Sequence, residues 1–414
     1  PIAITPLPEL EPRPGDLSSC LRDWSGPTPV LVRSGGTSSR CRDPALWSLD
    51  LRTHCRELQL SDNGHRVRVG AGVTMAELQQ ALAAAGRSVP TGLSGLPGAG
   101  YLLTGGISPL SRSQGLAIDR ICALEGVWGD GEPLALTAAQ SLDAEGHASD
   151  AWRGLLGAAP FLAVVSAIEL RTTPREPLQI ARALVSPEQL AEWIQRAETW
   201  PDGVCLQWYW ADQIEILLVA IESDEASAQA WAACLPHLVH LPGAVVERID
   251  GLEALPPFGT LARFPHQRAP VAQEVLGLLA PAWGAATPAL IQMARQAMAQ
   301  RPDPGCALAS QQLGGATARV SATATSFVHR QAIWKPWITA AWPTADSAAR
   351  QRSLTWLLQL RDQLRPYCPG VHLAQLHDHL PWHGWELKAA FGDWLPGLQR
   401  LKAQHDRQRL LPKL

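Results

Sequence analysis

The sequence predicts an α+β protein of two lobes, and three observations lead there. The chain's 414 residues exceed one ordinary domain and can bury a large core. Before Pro174 short apolar strands alternate with glycine-rich loops and a capped helix. Beyond it the order becomes helix, strand, strand, helix, with Thr172-Thr173-Pro174-Arg175-Glu176-Pro177 as the crossing point.

Composition sets the outer limits. Hydrophobic residues at 46% and charged residues at 18% describe a globular chain, and 34 Gly with 34 Pro imply many turns. A net charge of -3 gives no basic field for a phosphate backbone, so no nucleic-acid partner is expected. The eight cysteines include no Cys-x-x-Cys pair, hence neither a zinc knuckle nor a redox dithiol, and are read as free thiols of a reducing compartment. No basic-then-apolar leader opens the chain, and no apolar run reaches the roughly 18 residues of a membrane span. A soluble, cytoplasmic protein with no membrane partner is expected. Seventeen Trp beside three Tyr and five Phe serve either core packing or a substrate wall.

The elements follow in order. Leu17 to Trp24 has a helical pattern after Pro14-Gly15-Asp16, and Pro29 to Val32 reads as a buried strand ending at two glycines. Arg66-Val67-Arg68-Val69 alternates as a strand, and Gly70-Ala71-Gly72 breaks it. Thr74-Met75-Ala76-Glu77 is a capping box that opens a helix through Ala85, stopped by Gly86. Val89 to Ser108 is rich in glycine and nearly uncharged, a loop that serves either a ligand or close packing. In the second lobe the pattern predicts a helix over Pro187 to Thr199, strands Val204 to Trp210 and Ile214 to Ile221, and a helix over Ala226 to Cys234. Leu241 to Pro304 reads as loops with one helix, Pro288 to Ala299. Val320 to Thr325 and Trp334 to Trp342 read as strands, Ala345 to Leu364 as a long helix, and Trp385 to His405 as a terminal helical stretch.

The chemistry concentrates in two glycine-rich loops. In Arg33-Ser34-Gly35-Gly36-Thr37-Ser38-Ser39 a glycine pair after a strand lets backbone N–H groups converge on an anion, and four hydroxyls add donors; an exposed turn would look the same. The stretch is neither a Walker A sequence nor Gly-x-Gly-x-x-Gly. A second glycine-rich loop beyond the capped helix suits a long ligand of dinucleotide type.

These residues resemble the FAD-linked oxidases of the vanillyl-alcohol oxidase and p-cresol methylhydroxylase superfamily, in the berberine-bridge-enzyme-like branch. Val32 to Ser38 is similar to the family's pyrophosphate loop, and Val69 to Thr74 with Glu77-Leu78 to the strand and helix that follow. Pro90 to Ser108 is similar to the long flavin-contacting loop, and Leu110-Ser111-Arg112-Ser113-Gln114-Gly115-Leu116-Ala117-Ile118-Asp119 to the segment after it. Phe327-Val328-His329-Arg330 and Ala341-Trp342 resemble a strand pair of the substrate domain. Phe391-Gly392-Asp393-Trp394, Leu398, Lys402 and Asp406 resemble the branch's C-terminal helix.

The resemblance implies a PCMH-type FAD-binding domain over residues 1–175, a substrate domain over 176–370, and a segment 371–414 folding back on the first. It implies FAD as cofactor and assigns to its binding Arg33, Ser34, Gly35, Gly36, Thr37, Ser38, Ser39, Gly92, Ser94, Gly98, Gly105, Gly106, Arg112, Gly115, Asp119 and Val164. Arg112 and Asp119 form either an ion pair and a turn cap or a support behind the flavin loop. The implied reaction is oxidation of a small alcohol, sugar or similar substrate, with hydride passing to flavin and then to oxygen or another acceptor.

Departures matter as much. Thr37 and Ser94 stand where many members tether the flavin to histidine and cysteine, so the flavin is expected to be noncovalent. Thr104-Gly105-Gly106 and Phe161 to Ser166 put side chains where the family's backbone approaches the cofactor. Leu373-Ala374-Gln375-Leu376 replaces a Tyr-x-Asn-Tyr motif that often supplies the base. Histidine suits a proton acceptor, which leaves His377 and His329, with Gln375 beside them, as catalytic candidates, and His379, His372 and His383 nearby. Each is alternatively a structural histidine, and His377-Asp378-His379 is a weak metal pattern. The competing reading is a degenerate member of the fold acting as a binding or assembly protein, possibly without flavin. The sequence sets no oligomeric state.

Overall fold

The computed structural model describes residues 9–42, 46–259 and 271–414. Its first lobe holds two sheets. Strands Glu9–Leu10, Ser48–Asp50 and Leu31–Arg33 form a small parallel sheet in that order. A five-stranded antiparallel sheet runs Leu58–Ser61, Arg66–Gly70, Ala163–Arg171, Ile121–Trp128, Pro133–Thr137. The helix Met75–Ala84 begins at the capping box: Thr74 Oγ1 accepts from the Glu77 N–H at 3.3 Å and Glu77 Oε2 accepts from the Thr74 N–H at 2.8 Å. Its Met75, Leu78 and Leu82 are buried in the core.

The second lobe is one antiparallel sheet of eight strands, ordered Val245–Ile249, Leu178–Val185, Ile214–Ile221, Val204–Trp210, Ala307–Gln312, Trp334–Pro343, Val271–Leu279, Gly370–His372. The helices Pro187–Ala197, Glu225–Leu238, Thr287–Ala299 and Ser347–Leu364 pack on it. Every residue of Val204–Trp210 is buried, which requires cover on both faces. Val204, Leu206, Trp208 and Trp210 join the main core, while Cys205 and Tyr209 alternate into a second cluster with Leu110 and Phe258. That second face looks at the first lobe.

Arg112 ties the lobes together. Buried and without a carboxylate, it donates to the carbonyls of Val204, Leu313, Trp200 and Pro201 at 2.9, 2.7, 2.8 and 3.3 Å. Asp119 accepts from the Leu116 N–H and pairs with buried Arg330 at 2.8 Å. The two therefore do not pair with each other, and both act at the lobe junction. The last segment returns to the first lobe. Lys402 Nζ donates to the Phe161 carbonyl at 2.9 Å and to Asp406 at 2.6 Å, and the Val30 N–H donates to the Leu410 carbonyl at 2.7 Å.

Several sequence expectations need correction. Val320 to Thr325 is a turn, because Ser321, Ala322 and Thr323 are exposed and Ser321 Oγ accepts from the Thr323 N–H at 3.2 Å. Phe327 to Arg330 is an irregular segment rather than a strand, fixed by the Arg330–Asp119 pair. Two strands, Val245–Ile249 and Val271–Leu279, lie in the stretch expected to be loops, and its residues 260–270 lie outside the described ones. The terminal helical stretch is two helices, His383–Phe391 and Leu395–His405, divided at Gly392.

Candidate functional site

The strand Leu31–Arg33 delivers the turn Ser34-Gly35-Gly36-Thr37-Ser38 to the lobe junction, where it meets the second glycine-rich loop. The contact admits no side chains: a Cβ on Gly35 would lie 2.2 Å from the Gly98 nitrogen, and one on Gly98 would lie 2.5 Å from the Gly35 nitrogen. Gly36 takes φ +69°, open to glycine with little strain. The second loop is stitched to the first turn of the capped helix, whose Met75 and Ala76 N–H groups donate to the Pro97 and Gly95 carbonyls at 2.8 and 2.9 Å. Ser34 Oγ accepts from the Gly100 N–H at 3.2 Å. A local capping signal thus positions one loop, and that loop holds the other.

Between these loops and the second-lobe sheet lies a cavity of about 550 Å³, within the range of small-molecule sites. Ser34, Gly35, Gly36, Thr37, Ser38, Ser94 and Gly98 line its first-lobe side. The other side is Tyr209, Phe258, Val275, Trp337, Leu373 and Leu376, with Gln273 and Gln375 as amides. Gln375 Oε1 accepts from the Val275 N–H at 3.4 Å. The tryptophan question divides: most Trp side chains are core, and Trp337 lines the cavity.

Other expected cofactor contacts stand outside the wall. Gly92, Gly105, Gly106 and Gly115 pack against Tyr101, His372, Ala117 and Asp119. Arg33 donates to the Cys41 carbonyl at 3.0 Å, and Arg112 and Asp119 serve the lobe junction. Ala163 and Val165 line the cavity, so strand alternation turns Val164 to the opposite face. Ser39 points away from the cavity and donates to Glu274 at 2.8 Å.

The histidines are not placed as cavity bases. His377 is 2% exposed, with Nδ1 2.7 Å from Glu386 and Nε2 3.4 Å from Glu274. Burial alone would depress its pKa, but the two carboxylates outweigh burial and raise it to about 9. At neutral pH it is an imidazolium with no proton affinity to spare. His329 bonds the Ala389 carbonyl at 2.6 Å, and burial lowers its pKa. His372 bonds the Thr104 carbonyl at 2.9 Å; burial, followed by the charge of Lys335, takes it down to about 3. His383 bonds the Lys413 carbonyl at 2.9 Å. His377, Asp378 and His379 form no convergent ligand set; the grouping of that kind among the described residues is Asp143, Glu145 and His147, on an exposed loop and hydrogen-bonded within itself.

Three features had no clear sequence signal. Arg40 and Asp378, both lining the cavity, form a buried ion pair. Glu274 is buried and its pKa falls to about 2: burial opposes this, and the bonds from His377, His379 and Ser39 overcome it. Lys335 lies on the same strand face as Trp337, 4.5 Å from its ring, with no acceptor among the described residues; burial lowers it to about 8. A lone lysine within the apolar run Trp334 to Trp342 was the one visible hint.

Known proteins place this geometry. Residues 15–137 match the family model of an FAD-binding domain. The chain is 31% identical over 169 residues to the FAD-linked oxidoreductase ffsJ of Aspergillus flavipes, covering 39% of this chain and 25% of that protein. It is 34% identical over 154 residues to the FAD-linked oxidoreductase janO of Penicillium janthinellum, covering 36% and 32%. The matches thus span about a quarter to a third of those relatives. Among solved structures, a chitooligosaccharide oxidase superposes with TM-score 0.78 at 16% identity, over 99% of this chain and 93% of that one. The berberine bridge enzyme of Eschscholzia californica gives 0.77 at 16%, over 98% and 90%. At that identity the likeness establishes the fold, which is the two-lobe PCMH-type fold of the berberine-bridge-enzyme-like proteins. The match to the FAD-binding domain model lies wholly in the first lobe.

Proposed function

We propose that this chain, an FAD-binding protein with the berberine-bridge-enzyme-like fold, is an oxidoreductase that takes hydride from a carbon of a small, uncharged alcohol, sugar or similar substrate. The observation that carries the reading is the shared cavity, walled by glycine-rich backbone on one lobe and by aromatic and amide side chains on the other. The glycine pair fits the cofactor: Gly35 and Gly98 are pressed backbone to backbone, leaving main-chain groups and the hydroxyls of Ser34, Thr37 and Ser38 to face a diphosphate. Bound FAD supplies the hydride acceptor, which oxygen or a second acceptor then reoxidises. Thr37 and Ser94 hold it without a covalent link, since neither side chain forms the histidyl or cysteinyl bond.

On the second-lobe side Trp337, Tyr209 and Phe258 supply flat apolar surface that excludes water, and Gln375, its oxygen anchored on Val275, turns its amide donor to a substrate oxygen. An uncharged substrate suits this wall, because the ionised groups Arg40 and Asp378 already neutralise each other.

One observation favours a second reading, a binding protein without turnover. The described wall contains no histidine, and its carboxylate Asp378 is committed to Arg40. Absorbance decides between them. Purified protein with a flavin spectrum that bleaches anaerobically with uncharged alcohols or sugars supports the oxidoreductase. A colourless protein that takes up no FAD supports the second reading.

A further inference from the structure

Behind the first glycine turn sits a charge cluster that none of the binding residues explains. Ser39 Oγ donates to Glu274 Oε2 at 2.8 Å, although the two are 235 positions apart and on different lobes. Glu274 Oε1 receives His379 Nε2 at 2.9 Å, and His377 Nε2 lies 3.4 Å from its other oxygen. His379 Nδ1 in turn lies 3.3 Å from Arg40, which is ion-paired to Asp378. Both contacts of His379 are satisfied when its proton is on Nε2, so that the ring donates to Glu274 and accepts from Arg40. Glu386 holds His377 from the far side at 2.7 Å.

The geometry points to Glu274 as a positioning residue for the cofactor loop: from the second lobe it fixes Ser39 directly and Arg40 through His379, and so sets the turn Ser34 to Ser38. Glu274 does not itself line the cavity. The inference rests on the FAD reading above and adds that cofactor retention depends on the second lobe. Its charge state is secure at neutral pH, with Glu274 held down to about 2 and His377 raised to about 9. A buried carboxylate holding two hydrogen bonds beside an imidazolium is worth keeping only as a set, because loss of one partner strands the others away from water.

The test is a double-mutant cycle read in the FAD dissociation constant, followed by flavin fluorescence on the full chain. Ser39→Ala and Glu274→Gln should each weaken FAD about ten-fold. The double variant should be little weaker than either, and Ser39→Thr, which keeps the hydroxyl, should restore the parent affinity. General destabilisation would not produce that coupling or that rescue. If FAD binds both single variants within two-fold of the parent, or their effects multiply independently, the positioning role is overturned while the cofactor reading stands. Should Glu274→Gln fail to fold, the Ser39→Ala and Ser39→Thr pair decides alone. A parent protein that binds no FAD at all sinks the cofactor reading itself, and this inference with it.

Discussion

Gly35 and Gly98 meet backbone to backbone, so close that a Cβ on either would sit within 2.5 Å of the other's nitrogen. Neither loop can yield, since the second is bonded to the first turn of the capped helix at Met75 and Ala76. Replacing Gly98 with alanine should therefore push the turn Ser34 to Ser38 out of register and weaken FAD at least ten-fold, a loss of about 1.4 kcal/mol or more. Flavin fluorescence quenching measures it. An alanine variant that binds FAD like the parent would move the diphosphate away from this contact.

That contact illustrates what the sequence could and could not disclose. The capping box at Thr74 and Glu77 and the strand Val204–Trp210 were legible because their causes are local: a side chain three residues away, or a run of apolar residues. The strand Val271–Leu279 was not. Its pattern is broken by Gln273 and Glu274, and its Gly277 lies against the His372 carbonyl, where a Cβ would be 2.6 Å away. Gln273 and Val275 of the cavity wall ride on that strand, as does Glu274. The histidines were visible as residue types, but what keeps His377 protonated is the pair of carboxylates Glu274 and Glu386, and only the fold brings those together.

Thr37 and Ser94 predict how the flavin leaves. Acid precipitation of the holoprotein should release all of it to the supernatant and leave a colourless pellet, because neither residue makes a covalent link. Flavin fluorescence retained in the pellet would mean that another side chain carries a bond.

Arg112 should matter for stability rather than for chemistry. It satisfies four carbonyls at the lobe junction from a buried position. Arg112→Met would take this donor from the Val204, Leu313 and Trp200 carbonyls, while Pro201 keeps the Val204 N–H, at a cost of about 3 kcal/mol for the set. Urea denaturation should show the midpoint lowered, with the two lobes unfolding less cooperatively.

Lys335 should be a stability liability. Burial lowers its pKa from the ordinary lysine value to about 8, so the unfolded chain binds the proton more tightly. The penalty is fully present below pH 8 and shrinks as pH rises toward the unfolded value of about 10.4. Lys335→Met, which keeps the stem over Trp337, should thus stabilise the protein by about 2 to 3 kcal/mol at pH 7. The gain should fade above about pH 10. A gain that is the same at both pH values would show that the amine is solvated in the folded protein.

His377 carries the opposite sign. Its pKa is raised to about 9 in the folded protein, against about 6.5 for an unfolded histidine, so its stabilisation is complete below the lower value and is lost as pH rises through the upper one. Two buried carboxylates, Glu274 and Glu386, depend on that charge. Replacing His377 with glutamine should cost about 3 kcal/mol at pH 6, as expected for breaking a buried ion pair, and much less near pH 10, where the parent has lost the same charge. Flavin reduction by substrate in the variant, measured at a pH where it remains folded, should keep the parent's pH profile, since the imidazolium neither reaches the cavity nor accepts a proton there. A reduction rate that loses an ionisation on removal of His377 would return it to the role of base.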